Sequence, residues 1–105
     1  MIRAFRLATI CATLVLSASA VRAATPADCR SLDLHGHPHR SQSCYESLTR
    51  ESSPYLRAEG YWGLHQYQQA NDEFRLAVAQ NGSNAMYRVR WGLLLHERFN
   101  DNAAE

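Results

Sequence analysis

Lysine is absent from this 105-residue sequence, and all eleven of its basic residues are arginine. Ten acidic residues nearly balance them, so the formal net charge is +1. Three of the arginines precede residue 24, and removal of that segment would leave eight basic and ten acidic residues, a net charge of −2 (8 − 10). We therefore expect no basic surface for nucleic acid.

The common signatures of catalysis are absent as well. The sequence has no glycine-rich phosphate loop, no dinucleotide-binding fingerprint, no paired carboxylates in an apolar setting and no nucleophile with a plausible base. It also has no Gly/Ser-rich linker and no low-complexity tract, so one small domain is expected. We predict neither enzymatic activity nor a cofactor.

No apolar run is long enough for a comfortable membrane span, which needs about 20 residues. The longest run, residues 7–16, follows two arginines and precedes the small residues SASAVRAA, which is the layout of a secretory signal peptide. Cleavage after Ala20 or after Ala23 fits equally well, and a retained anchor helix is the alternative. Residues 1–23 are therefore predicted to be a signal peptide, and the protein to be periplasmic or secreted without a membrane span after cleavage.

Residues 53–84 have the pattern of two amphipathic helices joined by a tight connection. Pro54 indicates a helix start, because its fixed φ and missing N–H suit the first helical turn. The first helix is predicted to run to about His65, and the second to stop at Asn81-Gly82, a common C-terminal signal. We expect an antiparallel helical hairpin.

Positions in this hairpin recur further along the chain at a constant distance of 34 residues. The recurring pairs are Ala58 and Gly92, Tyr61 and Leu95, and Ala70 and Ala104. Earlier in the chain, residues 24–52 match the hairpin loosely at a distance of 29. Cys29 and Leu32 there correspond to Ala58 and Tyr61, and Ser41, Tyr45 and Leu48 correspond to Ala70, Phe74 and Ala77.

With this period and these residues the chain resembles the tetratricopeptide repeat family. The family pattern has a small residue before an aromatic one in the first helix, then alanine, aromatic and alanine in the second. The residues that carry the resemblance, and are expected to pack the repeats, are Ala58, Tyr61, Tyr67, Ala70, Phe74, Ala77, Gly92 and Leu95. Gly82 departs from the family's closing proline, and Arg57 from its leucine. An unrelated helical bundle is the alternative.

The resemblance implies an all-α fold of antiparallel helix-turn-helix repeats stacked as an α-solenoid. Residues 24–52 would form a degenerate first hairpin, 53–84 a full repeat, and 85–105 the start of a further, truncated one. Residues 101–105 are predicted to begin its second helix, and we expect more repeats in a longer form of the protein.

Such arrays bind a protein or peptide partner in a concave groove lined by the first helix of each pair. The chain is therefore expected to be an exported interaction scaffold. Its groove would be lined by exposed residues of those helices, namely Glu59, Trp62, Arg90, Leu93 and His96.

Cys29 and Cys44 are the only cysteines that remain after signal cleavage. An even count in an exported chain favours a disulfide, and the repeat alignment places the two residues on facing helices. A redox-active pair and two buried free thiols are the alternatives.

Three histidines alternate in the segment His35-Gly36-His37-Pro38-His39. Histidine is a common ligand of Zn²⁺, Cu²⁺ and Ni²⁺, so an exported metal-binding protein is the alternative function. No carboxylate or cysteine pattern completes a recognised zinc site, and Gly36 and Pro38 favour an exposed turn. We therefore assign no metal site.

Overall fold

The computed structural model describes residues 22–103, with side-chain surroundings as far as Arg98. The predicted signal peptide lies outside these residues, apart from Arg22 and Ala23, which are not helical. All regular structure between residues 22 and 103 is helical. The helices are α1 (Pro26–Leu34), α2 (Pro38–Leu48), α3 (Pro54–Gly63), α4 (Tyr67–Gln80) and α5 (Ala85–Ala103).

Each of the three prolines in the chain is the first residue of a helix, namely of α1, α2 and α3. At α1, Thr25 and Asp28 form a capping box in which each side chain bonds the other residue's backbone N–H, at 3.2 and 2.9 Å. The hydrogen bond from the Thr25 backbone lowers the pKa of Asp28. At α3, the Ser53 hydroxyl accepts a bond from the Leu56 N–H. These local signals explain why α1 and α3 begin where they do, and the helix start predicted at Pro54 is confirmed.

The turns that follow α1 and α3 have the same hydrogen-bond pattern. In the first, the His37 N–H donates to the Leu32 carbonyl and the Gly36 N–H to the Asp33 carbonyl. In the second, the corresponding bonds run from Gln66 to Tyr61 and from His65 to Trp62. This is the Schellman closure, which requires a residue with positive φ. Gly36 takes that place with φ 74°, and His65 with φ 59°.

The two hairpins, α1–α2 and α3–α4, therefore correspond at a distance of 29 residues. Their buried positions agree as well, in the pairs Cys29 and Ala58, Ser41 and Ala70, Tyr45 and Phe74, and Leu48 and Ala77. Each helix packs against the next along the chain, and α1 also contacts α3. Within the described residues, no helix combines the length and apolar character needed to cross a membrane.

The interior has two apolar clusters. One joins the second hairpin to α5 through the buried residues Ala58, Ala70, Phe74 and Leu94. The other lies in the first hairpin and is built on Cys29, Tyr45 and Leu48. Tyr61 and Tyr67, both expected to pack the repeat, are half-buried against the first cluster, and Ala77 is buried with 2% of its surface exposed.

Two glycines of α3 let it approach α2 closely. A methyl group on Gly60 would lie 2.7 Å from the Tyr45 carbonyl oxygen, and one on Gly63 would overlap the Tyr45 ring. Side chains at either position would therefore push the hairpins apart. Close approach through these two glycines was not predicted from the sequence.

Two expectations for α5 and its neighbourhood are wrong. Gly92 was expected to pack as Ala58 does, but it is exposed, and a methyl group there would meet nothing within 4 Å. Leu95 is partly buried, and Leu94, one residue before it, is the fully buried side chain. Residues 101–103 continue α5 instead of starting a new helix. The segment from Leu95 to Ala103 has no glycine or proline, so nothing local ends the helix there.

Candidate functional site

A cleft of about 310 Å³ lies where α1, α3 and α5 face one another. The volume is at the lower end of the range for ligand sites. We call it the α1–α3–α5 cleft. Most of its lining is charged or aromatic, and it consists of Arg30, Asp33, Tyr45, Glu59, Trp62, Gly63, His65, Arg90 and Glu97.

Glu59 is the buried charge at the centre of this cleft, with only 2% of its surface exposed. Arg90 holds it with two hydrogen bonds, from Nε to Oε1 at 2.6 Å and from Nη2 to Oε2 at 2.9 Å. Arg30 adds an ion pair at 3.5 Å, and the Tyr55 hydroxyl bonds the same carboxylate. The Glu59 carboxylate thus connects α1, α3 and α5. A bidentate guanidinium is the geometry that best compensates a carboxylate removed from water.

The electrostatics of the cleft keep these partners in their ordinary protonation states at neutral pH. Burial, together with the nearby negative charge of Glu59, raises the pKa of Tyr55 to about 12. The hydrogen bonds to Glu59 raise the pKa of Arg90. Tyr55 therefore remains a neutral hydrogen-bond donor and Arg90 remains charged.

Trp62 forms an aromatic wall of the cleft. The Arg90 guanidinium lies over its ring, 4.3 Å from the centroid, which is a cation–π contact. Its indole N–H donates to Glu97 Oε2 at 2.7 Å. Its ring also meets Phe74 edge-on at 6.1 Å. Contacts with the core and with α5 therefore fix the orientation of the Trp62 ring.

Tyr45 and Asp33 form the side of the cleft that belongs to the first hairpin. Burial raises the pKa of Tyr45, and the Asp33 carboxylate raises it further through its charge and its hydrogen bond with the phenol. Tyr45 is also part of the core of the first hairpin. The packing of that hairpin therefore positions the Asp33 side of the cleft.

Three of the five predicted groove residues line the cleft, namely Glu59, Trp62 and Arg90. Glu59 was expected to be exposed, and this is wrong, because Arg90 and Arg30 supply the opposite charges that allow its burial. Leu93 and His96 do not line the cleft. Both are exposed on α5, where Leu93 lies among other exposed apolar side chains.

Arg30, Asp33 and Glu97 also line the cleft but were not predicted from the sequence. The 29-residue repeat distance could have identified the first two, because subtracting 29 from the predicted groove positions 59 and 62 gives 30 and 33. Arg30 and Asp33 thus occupy in α1 the places that Glu59 and Trp62 occupy in α3. No comparable shift yields Glu97, which the structure brings to Trp62 across 35 residues.

A second depression, of about 480 Å³, adjoins the cleft, with which it shares Gly63 and His65, and is lined by residues of α2, of α3 and of the turn between α3 and α4. It is the larger of the two, but Glu46 is the only acidic residue in its lining, and no arginine or lysine lines it. We take the α1–α3–α5 cleft as the candidate site because it contains a buried charge with fixed partners.

Cys29 and Cys44 have their sulfurs at disulfide-bonding distance, 2.09 Å, with Cα atoms 5.4 Å apart. Pro26 and Cys29 are the two buried residues of α1. This covalent link is therefore a main attachment of the helix that carries Arg30 and Asp33 to the cleft.

The histidines of the turn between α1 and α2 are all exposed. His35 Nδ1 bonds the Ser31 carbonyl at 2.7 Å. Among the described residues, no group of three or more histidine, cysteine, aspartate or glutamate side chains could hold a metal ion. The geometry gives the metal-binding alternative no support.

Comparisons of this chain with protein-family models, with curated proteins and with solved structures gave no match.

Proposed function

We propose that this protein is an exported interaction module whose α1–α3–α5 cleft binds a segment of a partner protein. The observation that carries the proposal is the cleft itself. Charged side chains from three helices, Arg30, Glu59 and Arg90, meet in it although they are far apart in sequence. Fixed charges beside an aromatic wall suit recognition of a peptide.

A tetratricopeptide-like solenoid is part of the same proposal. Its support is the correspondence of two successive hairpins in helix starts, turn closure and buried positions. In such an array the first helices of the hairpins share one face, and α1, α3 and α5 share the cleft here. On this proposal α5 is the first helix of a third repeat.

Export is proposed from two observations. The first is the signal-peptide layout of residues 1–23, which lies in the sequence alone. The second is the Cys29–Cys44 pair at disulfide distance, since disulfides persist in oxidising compartments outside the cytoplasm.

We propose binding rather than catalysis for this cleft. Among the described residues, every buried side-chain nitrogen and oxygen has a hydrogen-bond partner. Glu59 and Arg90 are engaged with each other. Such pairing fixes shape and charge, whereas a general acid or base needs a proton that it can exchange with a substrate.

Selection from a random peptide library against the immobilised full chain tests this function. We expect peptides that bind the wild type and lose most of their affinity for Asp33→Arg, because Asp33 is an exposed residue of the cleft and the larger, oppositely charged side chain would occupy it. The matched control is Asp72→Arg on α4, with 56% of its side chain exposed and outside the cleft. Circular dichroism would show that both variants keep their helices.

Selected peptides that bind Asp33→Arg as well as they bind the wild type would contradict the proposal, as would a selection that enriches no peptide.

A further inference from the structure

The charges of the α1–α3–α5 cleft are not balanced. Arg30 and Arg90 supply two positive charges, while Asp33, Glu59 and Glu97 supply three negative ones, for a sum of −1 (2 − 3). Both guanidiniums are directed at Glu59.

The other two carboxylates have neutral hydrogen-bond donors among the described residues. Asp33 bonds the Tyr45 hydroxyl, and Glu97 Oε2 accepts the Trp62 indole N–H. Among residues 22–98, the ion pairs formed by arginines involve Glu59, Asp72 and Glu73, and none involves Asp33 or Glu97. Asp33 is exposed and Glu97 half-buried. Two carboxylates with uncompensated charge therefore line a cavity whose own cations are already engaged.

The backbone adds negative potential at the same place. Asp33 lies in the last turn of α1, and Trp62 and Gly63 lie in the last turn of α3. All three residues line the cleft. The C-terminal end of a helix carries a partial negative charge, which favours a cation nearby. This contribution comes from the backbone of two helices and is independent of the two carboxylates.

We propose that the cleft binds a lysine or arginine side chain of a partner peptide, with Asp33 and Glu97 as its charge partners. The inference rests on the proposed function and names the partner's chemistry. A cleft of about 310 Å³ suits a side chain better than a large cofactor. Arg90 already covers a face of Trp62, so the incoming cation is held by the carboxylates.

The two tryptophans of the chain provide a reporter and an internal control. The Trp62 indole N–H donates to Glu97 inside the cleft, and the Trp91 indole N–H donates to Asn71 outside it, at 2.8 Å. Nitrogen-15 NMR of the full chain resolves both indole signals. The probes are lysine amide and arginine amide with blocked α-amines, and the glutamate analogue as the anionic control.

We expect both cationic probes to shift the Trp62 indole signal saturably, while the Trp91 signal and the glutamate titration stay unchanged. Asp33→Asn and Glu97→Gln should each weaken the binding about three- to fivefold, as expected for partly exposed ion pairs. Added salt should weaken it too. The control Asp72→Asn removes an exposed carboxylate of α4 outside the cleft and should leave the affinity unchanged.

An unshifted Trp62 signal with both cationic probes would overturn the inference. So would an equal response to the glutamate probe, or affinities unaffected by both cleft substitutions. The two experiments distinguish failure of the cation preference from failure of the partner-binding function. Library peptides that bind through the cleft but contain no basic residue would refute only the cation preference. If the cationic probes bind the cleft but the library selection enriches no peptide, only the partner-binding function would be refuted.

Discussion

At equivalent positions the first hairpin has Cys29 and Tyr45 where the second has Ala58 and Phe74. The two hairpins share helix starts, turn closure and buried positions, yet different interactions hold them together. A covalent link and a small cluster join α1 to α2, whereas alanines and aromatic rings join α3 to α4 and α5. The same hairpin backbone can therefore be stabilised by a disulfide or by apolar packing. Loss of the one or the other should destabilise different helices.

The largest effect is expected where packing alone holds the structure. Phe74 is fully buried and meets Tyr55 and Trp62 with its ring. Phe74→Ala should lower the free energy of unfolding by about 3–5 kcal/mol, because it removes a buried ring and leaves a cavity. Urea unfolding followed by circular dichroism measures this loss. The control on the same helix, Leu76→Ala, removes a side chain that is 40% exposed and should cost less than about 1 kcal/mol.

A loss as small for Phe74→Ala as for Leu76→Ala would show that the second hairpin does not depend on its aromatic core.

Removal of the disulfide should have the next largest effect on stability, and this effect should be local. Replacing Cys29 and Cys44 by alanine removes a link that closes a loop across 15 residues, which costs about 3 kcal/mol in the chain-entropy model. Amide hydrogen exchange should show faster opening of α1, whose buried residues are Pro26 and Cys29. A Cys11→Ala background removes the third thiol of the full chain.

Protection of α3 and α4 should persist in that variant, because their core lies in the other cluster. Faster exchange of all described helices to the same extent would mean that the two hairpins unfold as one cooperative unit. It would contradict the conclusion that they are stabilised separately.

Tyr55 of α3 should make the stability of the second hairpin depend on pH, whereas α1 has Pro26, with no phenol, at the equivalent position. The folded-state pKa of Tyr55 is raised from 10.0 to about 12, so its contribution to stability is present below pH 10 and is lost as the pH rises towards 12. The shift in pKa corresponds to a loss of unfolding free energy of about 2.7 kcal/mol at most. Solvent screening at this half-buried ring reduces the expected loss to about 1–2 kcal/mol.

Denaturant unfolding between pH 9 and 12 would measure this loss. Tyr55→Phe should reduce the alkaline loss to the part that comes from Tyr45, whose pKa is also raised, whereas the control Tyr61→Phe, outside the Glu59 network, should leave the loss unchanged. An unchanged loss in Tyr55→Phe would assign it to another group.

Local sequence signals were enough to predict the helices of both hairpins, and they were not enough for the cleft. Pro54 and the Asn81-Gly82 pair punctuate the chain where α3 begins and α4 ends, because proline and glycine act through their own backbone. Burial of Glu59 depends instead on Arg90, 31 residues away. By hydropathy alone a glutamate on a helix is expected in water, and Glu59 was therefore predicted to be an exposed residue of the groove.

The smallest effect tests whether the two hairpins are interchangeable at the position where Ser41 corresponds to Ala70. Both are buried, at 4% and 0% exposure, and the Ser41 hydroxyl already donates to the Pro38 carbonyl of its own helix at 3.0 Å. Ser41→Ala therefore leaves no partner side chain unsatisfied and should change the unfolding free energy by less than about 1 kcal/mol.

The reverse substitution, Ala70→Ser, should cost about 1–2 kcal/mol, because an oxygen must fit against a fully buried position of the Phe74 cluster. Thermal and urea unfolding of both variants measures the asymmetry. Equal costs would mean that the two interiors are packed to the same tightness. The larger cost at Ala70 would show that the second hairpin depends on close packing, while the first, held by its disulfide, tolerates a polar atom inside.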